Sequence, residues 1–290
     1  MHDRTLQTRA MGAATARIQD TEMPPVRPAP EPARDDRRFS VVSSRRAAQP
    51  QPAAGEPAAA LSTLKPTARA NWSPALAGQE VAAVEQYRRL AAVLMRAQVE
   101  HGVRVVMIAS ATPSEGKTMT TANLALTLAR SYRRRVLVID ADLRKPSLHR
   151  VFNVGNVRGL TEYLDGFGND PVATIQINPQ LTLLPAGRAS SDPVGGLASS
   201  RLLRLLEQAA AEFDMVLVDT PPVAQLPDAR LLGDLVDAAV LVVASGQAPH
   251  TAIEHAIAEI GRERLLGIVF NRAEGQQARY YGYGYGQERS

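Results

Sequence analysis

The eight residues from Ala111 to Thr118 carry the clearest chemical signature in this sequence, Ala-Thr-Pro-Ser-Glu-Gly-Lys-Thr. They follow an aliphatic run at 103–109 and open a helical pattern at 117–132, which is the context that a phosphate-binding loop requires. Backbone N–H groups of such a loop, and of the helix N-terminus behind it, present partial positive charge to phosphate. The predicted nucleotide-binding residues are Ala111, Thr112, Pro113, Ser114, Glu115, Gly116, Lys117, Thr118 and Met119.

Single residues of this loop have distinct expected roles. Gly116 allows the backbone to approach a ligand closely, Lys117 is expected to reach the β- and γ-phosphates, and Thr118 is expected to hold Mg²⁺ through its hydroxyl. The chain otherwise uses arginine almost throughout, with lysine only at positions 65, 117 and 145. A compact ammonium fits a phosphate cradle where the guanidinium fork does not. The alternative interpretation is a strand–loop–helix turn without a ligand.

Acidic residues end two further aliphatic runs. Asp140 and Asp142 close the run that starts at Val136, and Asp219 closes the run that starts at Met215. A carboxylate at the end of an apolar strand is costly unless it is paired, hydrated or near a cation. Taken alone, each aspartate is equally well explained as a helix N-cap or as a loop carboxylate without a ligand. Beside a phosphate loop, however, they favour a Mg²⁺–nucleotide site, with Thr118, Asp140 and Asp219 as the metal ligands.

The elements that must position these residues alternate between strand and helix. Short Val/Ile/Leu-rich runs predict strands at Val103–Ala109, Val136–Asp140, Leu181–Leu184, Met215–Asp219, Ala238–Ala244 and Leu265–Asn271. Helical periodicity occurs at 79–100, 117–132, 195–212, 227–236 and 250–263. Continuous apolar strands between helices predict a doubly wound, mostly parallel α/β sheet of the P-loop type, with helices on both faces. Ligands of such sheets bind at the carboxyl ends of the strands.

Composition divides the chain into three parts. Residues 1–78 are rich in Pro, Ala and Arg and lack periodicity, so we expect a disordered arm. Residues 79–272 form the predicted nucleotide-binding domain, and residues 273–290 a flexible tyrosine-rich tail. The absence of cysteine excludes disulfides and thiolate chemistry. No apolar run approaches the ~20 residues of a membrane span, and no secretory signal is expected. Basic residues do not interleave with aromatic ones, so no specific nucleic-acid partner is expected.

The motifs, in this order and spacing, resemble those of the bacterial tyrosine kinase family, within the MinD/ParA-type P-loop ATPases. The family's Pro-Gly-Glu-Gly-Lys-[Ser/Thr] loop is matched from Pro113 onward, with Ser114 in place of its first glycine. Its Asp-x-Asp-x-Arg motif is matched by 140–144, and its Asp-[Thr/Ser]-Pro-Pro motif by 219–222. Thr112 stands where MinD/ParA-type relatives carry a second lysine, which weakens the interpretation as a partitioning ATPase.

The resemblance implies ATP and Mg²⁺ as cofactors, and a catalytic set of Lys117, Asp140 and Asp142. Lys117 would bind phosphate, Asp140 would take the proton from an attacking tyrosine, and Asp142 would assist near the metal. Asp219 would bind Mg²⁺, directly or through water, and Asn271 would contact the adenine. Such phosphoryl transfer needs positioning and charge neutralisation more than covalent help from the protein.

The tail resembles the family's C-terminal tyrosine cluster, with Tyr280, Tyr281, Tyr283 and Tyr285. About ten residues separate it from Asn271, enough to extend ~30 Å. The resemblance implies that these tyrosines are phosphorylated between protomers. The alternative is a Gly/Tyr-rich end without a catalytic role.

The family also implies partners and a location. The expected activator is the cytoplasmic segment of a chain-length-determinant membrane protein, which would hold the kinase at the inner face of the membrane in exopolysaccharide or capsule synthesis and export. Self-association and a cognate phosphatase are also implied. Glu85 and Arg88 match the start of the family's interface helix, but Ala91 replaces its last arginine; an intrahelical ion pair is the alternative. A MinD/ParA-type ATPase switch, or a nucleotide-binding scaffold without phosphotransfer, are the alternative functions.

Overall fold

The computed structural model describes residues 61–64, 81–166, 172–225 and 229–273. Its strands form one sheet with the order β1-β4-β5-β3-β6-β2-β7-β8, and every neighbouring pair is parallel except β4 with β5. The strands are β1 Leu61–Leu64, β2 Val105–Ser110, β3 Val136–Asp140, β4 Val172–Asn178, β5 Leu181–Leu184, β6 Met215–Asp219, β7 Ala238–Ala244 and β8 Leu265–Asn271.

Helices connect most of these strands. They are α1 Val81–His101, α2 Lys117–Ser131, α3 Leu148–Val151, α4 Leu160–Leu164, α5 Pro193–Leu197, α6 Ser200–Glu212, α7 Ala229–Leu235 and α8 His250–Ile260. The helix predicted over 195–212 is divided in two, because the Ser199 hydroxyl accepts a hydrogen bond from the Leu202 N–H and so starts α6 afresh. The doubly wound fold class predicted from the alternation of strands and helices is confirmed.

The four central strands, β2, β3, β6 and β7, are buried at every residue. Alternate residues of each strand enter different hydrophobic clusters, as Leu137 and Ile139 do on one face and Val136 and Val138 on the other. This follows from the two-residue period of a strand, with both faces covered by helices. The sheet therefore holds its strand ends rigidly, and the loops after them can position chemistry.

Two strands were not anticipated from the sequence. The β4 segment, Val-Ala-Thr-Ile-Gln-Ile-Asn, mixes apolar and polar residues, so it lacks the continuous aliphatic run that marks the central strands. It pairs antiparallel with β5 across a turn in which the Asn178 side chain accepts the N–H of Gln180. β1 extends the edge by parallel pairing with β4. This four-residue strand lies within the segment for which a disordered arm is predicted, and its backbone groups pair with the open edge of the sheet.

Helix α1 contains the residues that resemble the family's interface motif. Glu85 and Arg88 form an exposed ion pair at 3.5 Å within the helix, as in the alternative interpretation. Ala91 is fully buried in the core. An arginine side chain at position 91 would have no route to solvent without a shift of the helix. Within the described ranges, no helix is both long and apolar enough to cross a bilayer.

Candidate active site

The candidate site lies where β2, β3 and β6 end side by side. Asp140 and Asp219 are register partners on β3 and β6, and Ile108 of β2 pairs with Asp219 from the other side. The loop from Ala111 to Gly116 follows β2 directly and leads into α2. Parallel pairing therefore brings the predicted phosphate loop and the two strand-end aspartates together.

The loop has a left-handed backbone at two positions. Gly116 has φ 91° and ψ 15°, and Ser114 has φ 65°. A Cβ atom at Gly116 would lie 2.0 Å from Asn271 Nδ2, so glycine is required by both conformation and space. Ser114 takes a conformation that costs a non-glycine residue about 1 kcal/mol or more. Left-handed residues within a turn let neighbouring N–H groups converge on an anion, and the first turn of α2 adds N–H groups that have no acceptor within the helix.

Asp219 forms a buried polar cluster with the start of α2. Its Oδ1 accepts from Lys117 Nζ at 2.8 Å and from the Thr121 hydroxyl at 3.1 Å. Its Oδ2 accepts from the Thr118 hydroxyl at 2.8 Å. The predicted phosphate ligand, the predicted metal ligand and the strand-end acid are thus in direct contact. Thr121 was not among the predicted site residues; it lies one helical turn after Lys117, on the same face of α2.

Asp140 is fully buried and lies beside this cluster. Its Oδ2 accepts the backbone N–H groups of Ser147 and Leu148, both at 2.9 Å. Burial, and then the negative charge of Asp219, raise the pKa of Asp140 from 3.8 to about 7, although the two N–H groups and Lys117 oppose the shift. Asp140 is therefore a carboxyl group that exchanges its proton near neutral pH.

Asp142 is half-buried and borders the same site. Burial raises its pKa, against the positive charge of Lys117 and the N–H of Lys145, which donates to Asp142 Oδ1 at 3.0 Å. Ser147, which sequence reasoning missed, donates its hydroxyl to Thr118 Oγ1 at 3.2 Å. Only the tertiary structure identifies Ser147, because no motif marks the turn before α3.

Other predicted loop residues have mainly structural contacts. The carboxylate of Glu115 is buried and accepts the N–H of Thr112 at 2.7 Å and the N–H of Ala244 at 3.3 Å. Glu115 therefore ties the loop to the end of β7. Ala111 is buried, and Met119 is exposed in the first turn of α2.

The loop is also held from the β7–β8 side. Asn271 Nδ2 donates to the Glu115 carbonyl at 2.8 Å. Gln247, which was not among the predicted residues, donates through Nε2 to the Pro113 carbonyl at 2.6 Å. Adenine contact by Asn271 stays a prediction. Tyr280, Tyr281, Tyr283 and Tyr285 lie outside the described residues.

The oxygen donors fit a magnesium ion bound together with phosphate. Mg²⁺ prefers hard oxygen ligands and commonly takes one or two carboxylates with the substrate's phosphates. Thr118, Asp140 and Asp219 provide a hydroxyl and two carboxylates. In the described part of the chain no cluster of three or more His, Cys, Asp or Glu residues could hold a metal. Thr118, Asp140 and Asp219 are the residues that would hold such an ion.

A parallel sheet with a lysine-bearing phosphate loop and strand-end aspartates defines a P-loop nucleotide-binding protein. The family described as "CobQ/CobB/MinD/ParA nucleotide binding domain" matches residues 106–281. The chain belongs to this family and, within it, to the bacterial tyrosine kinases, as its similarity to the following proteins shows.

Two curated relatives and one solved structure illustrate this membership. The chain is 37% identical over 202 residues to the tyrosine-protein kinase YwqD of Bacillus subtilis, covering 69% of this chain and 85% of YwqD. It is 35% identical to the succinoglycan biosynthesis transport protein ExoP of Rhizobium meliloti, covering 59% of this chain but 22% of ExoP. The kinase domain of the Escherichia coli tyrosine kinase ETK superimposes with a TM-score of 0.63 and 33% identity, covering 73% of this chain and 85% of that domain.

Proposed function

We propose that this chain is an ATP- and Mg²⁺-dependent protein tyrosine kinase that phosphorylates its own C-terminal tyrosine cluster in trans. The observation that carries the proposal is the contact of Lys117 and Thr118 with Asp219, next to the buried side chain of Asp140. The residues proposed as phosphate ligand, metal ligands and base therefore lie close together, at the carboxyl ends of β3 and β6 and the start of α2. When bound, Mg-ATP supplies the phosphoryl group and the cationic charge that offsets the aspartates.

Asp140 is proposed as the group that accepts the tyrosine proton. A tyrosine hydroxyl has a pKa of about 10, and a carboxylate close to the metal can assist its deprotonation. The Oδ2 atom is occupied by two N–H groups at 2.9 Å, whereas Oδ1 accepts one longer bond, from the Asp142 N–H at 3.3 Å. Oδ1 is therefore the oxygen of Asp140 that is available to Mg²⁺ or to the tyrosine hydroxyl.

The substrate is proposed to be the tail of another copy, at Tyr280, Tyr281, Tyr283 and Tyr285. Each phosphate would add a charge of about −1.5 to −2. Several phosphates on one tail would repel one another and loosen an assembly of copies.

The biological setting is proposed by analogy with the relatives. YwqD is named as a tyrosine kinase and ExoP as a succinoglycan transport protein. From the family resemblance we infer that a chain-length-determinant membrane protein activates this chain through a cytoplasmic segment and holds it at the inner face of the membrane. The kinase would then regulate exopolysaccharide or capsule synthesis and export, with a cognate phosphatase resetting the tail.

A mixing experiment tests whether the protein is a kinase and whether it transfers phosphate from one chain to another. The Lys117→Met variant, with an intact tail, is incubated with Mg-ATP, the cytoplasmic segment of the activator and a second variant whose four tail tyrosines are changed to Phe. We expect phosphotyrosine on the Lys117→Met chain, which neither variant forms alone. Phosphate release without phosphotyrosine would instead indicate an ATPase switch, and nucleotide binding with neither product would indicate a scaffold. If wild-type protein labels itself but the mixture does not, transfer is within one chain.

A further inference from the structure

Two amide side chains from distant parts of the chain bind carbonyl groups of the phosphate loop. Gln247 lies in the turn after β7 and binds the Pro113 carbonyl through Nε2, 134 positions away in sequence. Asn271 ends β8 and binds the Glu115 carbonyl through Nδ2, 156 positions away. The loop is thus held at two of its carbonyl groups, which belong to peptide groups separated by one other peptide.

Holding these carbonyls also orients the N–H groups that share the same peptide planes. The Pro113 carbonyl belongs to the same peptide as the Ser114 N–H, and the Glu115 carbonyl to the same peptide as the Gly116 N–H. In a planar trans peptide the C=O and N–H bonds point in opposite directions. The two amides therefore turn the N–H groups of Ser114 and Gly116 away from the β7–β8 side of the loop, in the left-handed conformations that both residues adopt.

Arg272 orients both amides. Its guanidinium Nη1 donates to Gln247 Oε1 at 3.2 Å, so the Gln247 NH₂ group is left to face Pro113. Its backbone N–H donates to Asn271 Oδ1 at 3.0 Å, so the Asn271 NH₂ group is left to face Glu115. Arg272 has φ 55° and is the residue directly after β8.

We propose that Gln247 and Arg272 are positioning residues of the phosphate site. Arg272 orients the amide groups of Gln247 and Asn271, and these amides hold the loop so that the N–H groups of Ser114 and Gly116 face the phosphates. The inference rests on the proposed function only in that the loop binds a nucleotide. The origin of the tail is thereby connected to the loop through two hydrogen bonds in series, from Arg272 to Gln247 and from Gln247 to Pro113.

The sharpest test compares the binding of a nucleotide with the binding of a ligand that has phosphates but no adenine. Binding of ADP and of inorganic pyrophosphate is measured for wild-type protein and for Gln247→Leu, which removes the N–H that Pro113 accepts without adding a charge near the phosphates. Gln247 is exposed, so the core is not disturbed. We expect both affinities to fall by the same factor, about fivefold, which corresponds to the loss of one hydrogen bond.

The matched control is Gln98→Leu. Gln98 Nε2 also donates to a distant backbone carbonyl, that of Asp214, but the bond lies before β6, away from the loop. We expect its ADP and pyrophosphate affinities to equal those of the wild type. Loss of ADP affinity alone in Gln247→Leu would show that Gln247 contacts the adenine base. No loss in that variant, or an equal loss in Gln98→Leu, would also overturn the proposal.

The role of Arg272 is tested through its coupling to Gln247. Arg272→Asn keeps the backbone N–H and tolerates the left-handed conformation, but removes the guanidinium. We expect pyrophosphate affinity to fall about twofold in the wild-type background and to remain unchanged by this substitution in a Gln247→Leu background. Equal losses of affinity in both backgrounds would show that the Arg272 charge acts on the phosphates directly and not through Gln247. These are binding measurements, so they remain decisive if the protein forms no phosphotyrosine.

Discussion

Lys117 Nζ lies 2.8 Å from Asp219 Oδ1, and both side chains are buried. The carboxylate also accepts the hydroxyls of Thr118 and Thr121, so the lysine, the metal ligand and the strand-end acid form one cluster. A buried charge that loses its partner is strongly destabilising. Substitutions at Lys117 therefore act on folding as well as on phosphate binding.

We expect Lys117→Met to lower the free energy of unfolding by about 3 kcal/mol or more, because it leaves Asp219 buried without its cation. The Lys117→Met/Asp219→Asn double variant should recover much of this loss, because an amide can still bind the two threonine hydroxyls without a charge. Urea unfolding of both variants measures the difference. A double variant less stable than Lys117→Met would contradict the importance of the ion pair.

Stability should depend on pH through Asp140. Its pKa is raised from 3.8 to about 7, so between these values the folded chain keeps a proton that the unfolded chain has lost. The contribution to stability is complete below about pH 3.8 and is lost as the pH rises through about 7. Asp140→Asn removes this titration, and its single amide oxygen can still accept both N–H groups that now bind Oδ2.

The measurement is urea unfolding at several pH values without nucleotide. The stability of Asp140→Asn relative to the wild type should rise from pH 4 to pH 7 and then level off. The raised pKa of Asp142 and the lowered pKa of Asp214 act in both proteins and cancel in the difference. If the free energies of unfolding of the two proteins changed with pH in parallel, the raised pKa of Asp140 would be contradicted.

The two left-handed loop residues should respond differently to substitution. Gly116→Ala forces a Cβ into the φ 91° conformation and against Asn271 Nδ2, so we expect a loss above about 1 kcal/mol and weaker ADP binding. Ser114→Gly relieves the strain at φ 65° and should change stability by less than about 1 kcal/mol, since glycine also gains freedom in the unfolded chain. Thermal unfolding and ADP titration check both. A tolerated Gly116→Ala would show that the loop differs from its described conformation.

Glu115 should be essential for loop anchoring. Glu115→Ala leaves the N–H groups of Thr112 and Ala244 without their acceptor, which costs about 2 kcal/mol or more. Glu115→Gln keeps one of the two acceptors and should fall between the wild type and Glu115→Ala. Amide hydrogen exchange at Thr112 and Ala244 should accelerate in the same order. Unchanged exchange at Ala244 in Glu115→Ala would exclude the proposed link to β7.

Local sequence was sufficient for the parts of the site that lie within one motif. The run 111–118 predicted the loop and the start of α2, and continuous aliphatic runs predicted β3, β5, β6, β7 and β8 with the boundaries that the structure has. Asp140 and Asp219 were found because a charged residue that ends an apolar run contrasts with its neighbours. These features depend on residues close in sequence, so pattern and residue type are enough to find them.

The tertiary structure alone decided the contacts between distant segments. Gln247, Arg272 and Ser147 carry no local signal. Gln247 contacts the loop, Arg272 contacts Gln247, and Ser147 contacts Thr118 only because the strand order places β7, β8 and the turn before α3 around the site. The raised pKa of Asp140 likewise depends on burial and on Asp219, 79 positions away, which is its register partner. The residues named by their own sequence pattern thus identify the chemistry. The residues that orient them are determined by packing, because a hydrogen bond between distant positions exists only once the sheet is assembled.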